Sequence, residues 1–180
     1  YYCAEGNTLI RSSSDGGSRI QVSFNLNEIE YVSRFQQLTT KLFDYTFTEK
    51  HIRNNECRLL KYGTDVCHKI KEAGLPEKTG SRGFIPDFIY TSLPEQKMAF
   101  LKSFCNGDGS FTTHGNDHHR IIVNVASRKI ASGVTVLWQS LGYNPIFYFV
   151  KTRNMWCSAL WRDDDVSDFE IGLMKSLIPI

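Results

Sequence analysis

Asp108 stands between two glycines in FCNGDGSF, residues 104–111, where an apolar run of helical character gives way to strand-like sequence. A carboxylate placed there has four readings. As a tight turn it needs nothing further, because Asn, Asp and Gly are the residues that turns favour. A calcium loop needs oxygen ligands at alternate positions over a dozen residues and a closing Glu. NGDGSFTTHGND, residues 106–117, has neither. A phosphate-cradling glycine loop needs a helix to begin after the glycines, and here the helix comes before them. The fourth reading is a carboxylate held for metal chemistry, and it requires a second acid elsewhere in the chain.

An internal repeat supplies that acid. RIQV at 19–22 matches RIIV at 120–123, each before a helix with an early Ile, and Cys57 and Cys157 take similar places in the fourth strand of each half. In this alignment CAEGNTLI, residues 3–10, places Glu5 opposite Asp108 and Gly6 opposite Gly109. Two carboxylates, one from each half, at the C-terminal ends of paired helices make a divalent-metal site on a pseudo-two-fold axis. Mg2+ with carboxylate, carbonyl and water ligands suits phosphodiester hydrolysis. From the octamer alone, the turn stands beside the metal site.

The elements that position these acids are legible as periodicities. Strands are expected at 7–13 and 19–26, the second with clean alternation of Ile20, Val22 and Phe24 against Arg19, Gln21 and Ser23. SSSDGGS between them is hairpin-turn chemistry. A helix over 27–43, strands at 46–53 and 57–62, and a short helix ending on Gly74 complete the first half. After the Pro/Gly-rich connector 76–91 the order restarts, with a helix over 94–106 opened by a Ser92-x-x-Glu95 capping box. Strands at 110–114 and 119–126, a helix over 128–142, strands at 146–153 and 155–162 and a last helix near 168–177 follow. The fold class is α+β: two pseudo-symmetric αββαββα halves, 1–75 and 92–180, the first with its opening helix truncated.

FLKSFCNGDGSF, residues 100–111, resembles the LAGLIDADG motif of homing endonucleases, and Glu5–Gly6 looks like the tail of a first copy. On that alignment Ser103 takes the small position where the two motif helices pack, and Asn106 replaces an acid. IPDFIYTSLPEQKMAFLKSF, residues 85–104, is similar to the approach to the second motif in intein-type (DOD-type) members. VASRKIASGVTVLWQSLGY, residues 125–143, looks like their helix after the second hairpin. The chain has no initiator Met and no splicing-domain signature, so it is expected to be the endonuclease portion of something longer.

The resemblance implies saddle-shaped antiparallel sheets, packed through the motif helices, that bind a long double-stranded DNA target. It implies Glu5 and Asp108 as Mg2+ ligands, with Mn2+ able to substitute, and further contacts from the backbone carbonyls of Ala4 and Gly107. It implies a basic residue at the end of each half's fourth strand to stabilise developing charge or position the attacking water. That residue is Lys61 in the first half. In the second, Arg162 is the nearest candidate, although Trp161 aligns with Lys61 at least as well and arginine stays protonated. DNA contacts fall to Arg19, Gln21 and Ser23 in one half and to Arg120 and Asn124 in the other, with Lys151 and Arg153 on phosphates.

Composition bounds the alternatives. A 41% apolar share in 180 residues sustains a packed core, and a net charge of +2 permits a nucleic-acid partner without demanding one. Five cysteines without a CxxC pair read as reduced, buried thiols, hence a cytoplasmic, organellar or nuclear location and not a secreted one. No apolar run is of membrane-spanning length, so no membrane partner is expected. His114, His118 and His119 have no cysteine nearby and make a poor zinc set. The three tryptophans are expected to pack in the core or sheets. The leading expectation is a monomeric, site-specific DNA endonuclease. Its alternatives are a non-cleaving DNA- or RNA-binding LAGLIDADG protein, such as a splicing cofactor or decayed endonuclease, and a protein-interaction domain.

Overall fold

Alternation in RIQVSFN builds strand β2 (Arg19–Asn25), in which Ile20, Val22 and Phe24 are buried while Arg19, Gln21 and Ser23 stay partly exposed. The structure, a computed structural model, describes residues 2–9, 17–25, 29–52, 56–77, 80–114, 118–161, 165–166 and 169. Backbone proximity divides the chain into two units, Tyr1–Thr79 and Gly80–Ile180, a division that falls within residues 76–91.

The first unit runs α1 (Tyr2–Glu5), β1 (Gly6–Leu9), β2, α2 (Ile29–Phe43), β3 (Thr48–Ile52), β4 (Glu56–Tyr62) and α3 (Thr64–Glu72). Its sheet has the order β1-β2-β4-β3, antiparallel throughout. Val32 of α2 and Val66 and Cys67 of α3 join Ile20, Val22, Phe24, Cys57 and Leu59 in one core. The helices therefore cover one sheet face, and no described helix of this unit covers the other. Phe35 links Phe24 and Phe47 with ring centroids at 5.8 and 5.3 Å, pairs worth about 0.5–1.5 kcal/mol each beyond burial. As the sequence predicts, α3 stops at Gly74, whose φ of 71° suits glycine, and Leu75 N–H donates to the Ile70 carbonyl at 3.1 Å. The hairpin turn expected at 12–18 lies mostly outside the described residues.

The second unit repeats the order. After a 3-10 turn at Gly80–Arg82 come α4 (Asp87–Tyr90), α5 (Pro94–Asp108), β5 (Gly109–His114), β6 (His118–Val125), α6 (Arg128–Ser140), β7 (Ile146–Val150) and β8 (Met155–Leu160). Its sheet order, β5-β6-β8-β7, is that of the first unit. The connector is not a free linker from Gly80 onward. Ile85 is buried, and Ser127, the N-cap of α6, donates to the Gly83 carbonyl at 2.5 Å while accepting from Ile130 N–H. Trp138 is fully buried, edge-on to Phe169 at 6.0 Å. Apart from Phe169, the expected last helix lies outside the described residues.

Three local expectations are corrected. The Ser92/Glu95 capping box does not form: Leu93 is the N-cap and its N–H donates to Gln96 Oε1 at 3.1 Å. Ser92 instead donates to the Ile89 carbonyl at 2.7 Å. Strand β7 ends at Val150, because Lys151–Arg153 forms a 3-10 turn closed by Asn154 at φ 51°. Cys57 and Cys157 are not equivalent. Cys57 pairs with Phe24 on the helix-covered face, whereas Cys157 pairs with Asn124. Counted from the matched β2 and β6 residues, the two are one residue apart, which puts them on opposite faces.

A buried polar pair joins α6 to β8. Thr135 Oγ1 donates to the Ala131 carbonyl at 2.9 Å, so the 2.7 Å contact with Ser158 Oγ has Ser158 as donor. Thr135→Val strands the Ser158 hydroxyl, at 0% exposure, and is expected to cost about 1–3 kcal/mol. Ser158→Ala leaves the Thr135 proton satisfied and is expected to cost about 0.5–1.5 kcal/mol. Denaturant unfolding of both variants checks the order.

Candidate functional site

Asp108 is the last residue of α5, two positions beyond the expected helix end. Gly109, next to it, is extended at φ −88°, ψ 159°, and opens β5 directly. No turn intervenes, so the tight-turn reading of Asp108 falls. Glu5 stands likewise: it ends α1, and Gly6 opens β1. The registers agree as well. Gly6 pairs with Val22 and Gly109 with Val123, the closing valines of RIQV and RIIV. Each unit thus places one acid at the same point of the same topology.

A helix C-terminus leaves carbonyls without intrahelical partners and carries partial negative charge, so it disfavours a carboxylate and attracts a cation. Gly107 is exposed and Asp108 half-buried. Behind them Cys105 is fully enclosed. Burial pushes its thiol pKa far up, with the Asp108 charge adding to the effect, so it is no thiolate ligand. The other four cysteines are also free and buried. Among the described residues no group of three His, Cys, Asp or Glu gathers as a metal cluster. Mg2+ needs none, since it retains waters and takes one or two carboxylates. Asp108 with neighbouring carbonyl oxygens fits such a hard cation. Ala4 is buried in α1, and the side chain of Glu5 lies outside the described residues.

Lys61 is half-buried on β4, paired with Ile20 on the helix-covered face. Its Nζ lies 5.2 Å from the Tyr45 ring centroid, with Lys69 Nζ at 5.4 Å from the same ring. The neighbouring Tyr45 hydroxyl holds Lys69 above the ordinary lysine range. In the second unit Ile121, the counterpart of Ile20, pairs with Leu160. By register, then, Leu160 matches Lys61, and Trp161 matches Tyr62, which faces Arg19. That corrects the alignment of Trp161 with Lys61. Arg162 lies outside the described residues.

On the open face of the first sheet, Arg19, Gln21 and Ser23 are brought together, and Gln21 Nε2 donates to Ser23 Oγ at 3.5 Å. Directly across from Ser23 is Arg58, held by Glu56 through two bonds of 2.6 and 2.9 Å. Hydrogen bonds from Arg58 first, and from Ser23, hold Glu56 below its usual carboxylate range. Sequence reasoning missed this pair, although the alternation in ECRLLKY signals it. In the second sheet Arg120 and Asn124 share the face opposite Ile121, Val123 and Val125. Lys151 and Arg153 sit exposed on the β7–β8 turn rather than on a strand. His119 is exposed.

Against solved structures, the chain superposes on I-DmoI in complex with DNA and Ca with a TM-score of 0.71 at 10% identity, covering 98% of this chain and 86% of that one. The fold is that of the LAGLIDADG homing endonucleases. The meganuclease I-SmaMI bound to uncleaveable DNA aligns with a TM-score of 0.62 at 12% identity, over 99% and 82% of the two chains. The N-terminal LAGLIDADG domain of DUF199/WhiA aligns at 0.55 and 12%, over 96% and 76%. No family model matches the chain, and no curated protein matches it in sequence.

Proposed function

We propose that the chain is a site-specific double-stranded DNA endonuclease that hydrolyses phosphodiesters with a divalent metal. One observation carries this reading: the same helix-ending acid, followed by a strand-opening glycine, occurs at matched registers in both units. Similar structures hold target DNA with Mn, Ca or Mg, which supports a duplex partner and a hard cation. Glu5 and Asp108 would hold Mg2+, or Mn2+ in its place, assisted by the Ala4 and Gly107 carbonyls. When bound, the ion supplies Lewis-acid polarisation and an activated water.

The chain's own residues bind and orient the duplex. Arg19, Gln21, Ser23, Arg120 and Asn124 read base edges, while Lys151 and Arg153 take phosphates. Lys61 stabilises developing charge in the first unit, and Arg162 is the basic candidate of the second. Leu160 at the register of Lys61 makes the two units chemically unequal, so one strand is cut faster. Residues 85–104 resemble the approach to the second motif of intein-type members. The chain acts as a monomer, each unit contributing one acid.

Incubation with a randomised duplex library and Mg2+, followed by capture of cut ends, tests the proposal. One recurrent site, lost on chelation, is the expected result. Leu160 at the Lys61 register also favours a second reading, a LAGLIDADG protein that binds DNA or RNA without cutting. Specific, salt-sensitive binding with no cleavage in either Mg2+ or Mn2+ selects it.

Glu56 provides a further check. Because Arg58 lowers its pKa, the pair is intact at neutral pH and is lost only as pH falls through that lowered value. Glu56→Gln removes the opposing charge and frees Arg58 for phosphate. Non-specific duplex affinity is expected to rise, and the log–log salt slope to steepen by about one, read by titration at several salt concentrations.

A further inference from the structure

We propose that Trp161, braced by Tyr148, is a positioning residue that holds the Arg120 guanidinium for recognition of one guanine edge, and so sets base preference at a single position of the bound duplex. The inference rests on the DNA reading above and assigns a role to Trp161, a residue expected only to pack.

Trp161 is not a core residue. It is 44% exposed, whereas Trp138 is 0% exposed. The Arg120 guanidinium carbon lies 4.4 Å from the Trp161 ring centroid. Tyr148 meets the same indole edge-on, at 6.4 Å and 81°. Tyr148 itself stands directly across from Cys157, which is at 0% exposure, in the β7–β8 pairing. Arginine, tryptophan, tyrosine and cysteine thus form one chain of contacts from the sheet outward. It sits on the face that bears Asn124, which stands directly opposite Cys157.

Stacking constrains a guanidinium without consuming its donors. A ring against the guanidinium face leaves the in-plane N–H groups free, and those are the groups that reach guanine O6 and N7 as a pair. A free arginine loses most of its rotamer freedom on such contact, and a braced one has already lost it in the unbound protein. Arg58 is the counterexample in this chain: Glu56 occupies its donors. Among the described residues no carboxylate forms an ion pair with Arg120. The first unit carries the same cross-strand pairing in Arg19 opposite Tyr62, which is 47% exposed.

Binding-site selection from a randomised duplex library decides the matter, using the unaltered chain, Trp161→Leu, Trp161→Phe and Arg120→Lys. The unaltered chain is expected to enrich a site with a strong guanine at one position. Trp161→Leu and Arg120→Lys should each lose roughly tenfold discrimination there and leave the other positions unchanged, while Trp161→Phe restores much of it. Circular dichroism confirms folding, which an exposed side chain does not control. Unchanged preference in Trp161→Leu overturns the inference, and so does a uniform loss across all positions. No enrichment by the unaltered chain overturns the DNA reading itself.

Discussion

Asp108→Asn is expected to lower metal-dependent strand cleavage by at least about a hundredfold. Asp108 ends α5, where unpaired carbonyls and the helix dipole already concentrate negative charge. That field attracts a hard cation, and the amide removes the anionic ligand at nearly equal volume, which weakens the proposed metal site. Cleavage of a selected duplex with Mg2+ titrated upward reads the effect. Duplex affinity measured in Ca2+-free, Mg2+-free buffer should stay within about twofold, because the residues proposed to read base edges lie on the sheets. Undiminished cleavage by the variant removes Asp108 from the chemistry.

Gly109→Ala is expected to cost about 2–3 kcal/mol and to abolish detectable cleavage. The reason is not backbone freedom, since φ is −88° at Gly109, a value open to any residue. A Cβ built there meets the Cys105 backbone, with Cα at 2.8 Å and the carbonyl carbon at 2.9 Å, and the carbonyl oxygen closer still. Backbone cannot swing aside as a side-chain tip can, so the last turn of α5 must shift, an overpacking cost of the usual size or slightly above it. That turn carries Asp108, and a displacement of about 1 Å in a reacting group is enough for a hundredfold loss. Denaturant unfolding gives the energy. Cleavage by the surviving folded fraction separates displacement of the acid from mere instability. Gly74→Ala is the comparison: φ is positive there but a Cβ meets nothing within 4 Å, so only stability should fall.

Much of this was open to reading along the chain. Ile20, Val22 and Phe24 alternate with polar residues because one sheet face is covered by helices and the other is open. The same rule in both halves exposed the repeat, and the repeat linked Glu5 to Asp108. Those inferences need only local periodicity and order, which sequence carries directly. Residue-by-residue equivalence did not follow as securely. Cys57 and Cys157 look matched, as do Lys61 and Trp161, yet each pair is one position out of register.

A one-residue offset leaves composition and spacing almost unchanged but reverses the face of a side chain, so pattern alone cannot detect it. Only cross-strand pairing set Leu160 where Lys61 stands, and Trp161 beside Arg120. Likewise the sequence determined that an acid lies between two glycines at the end of a helix. That the helix runs on through the acid, and that the second glycine is required for close approach to Cys105, was decided in three dimensions. Both depend on distances between backbone atoms that the order of residues does not encode.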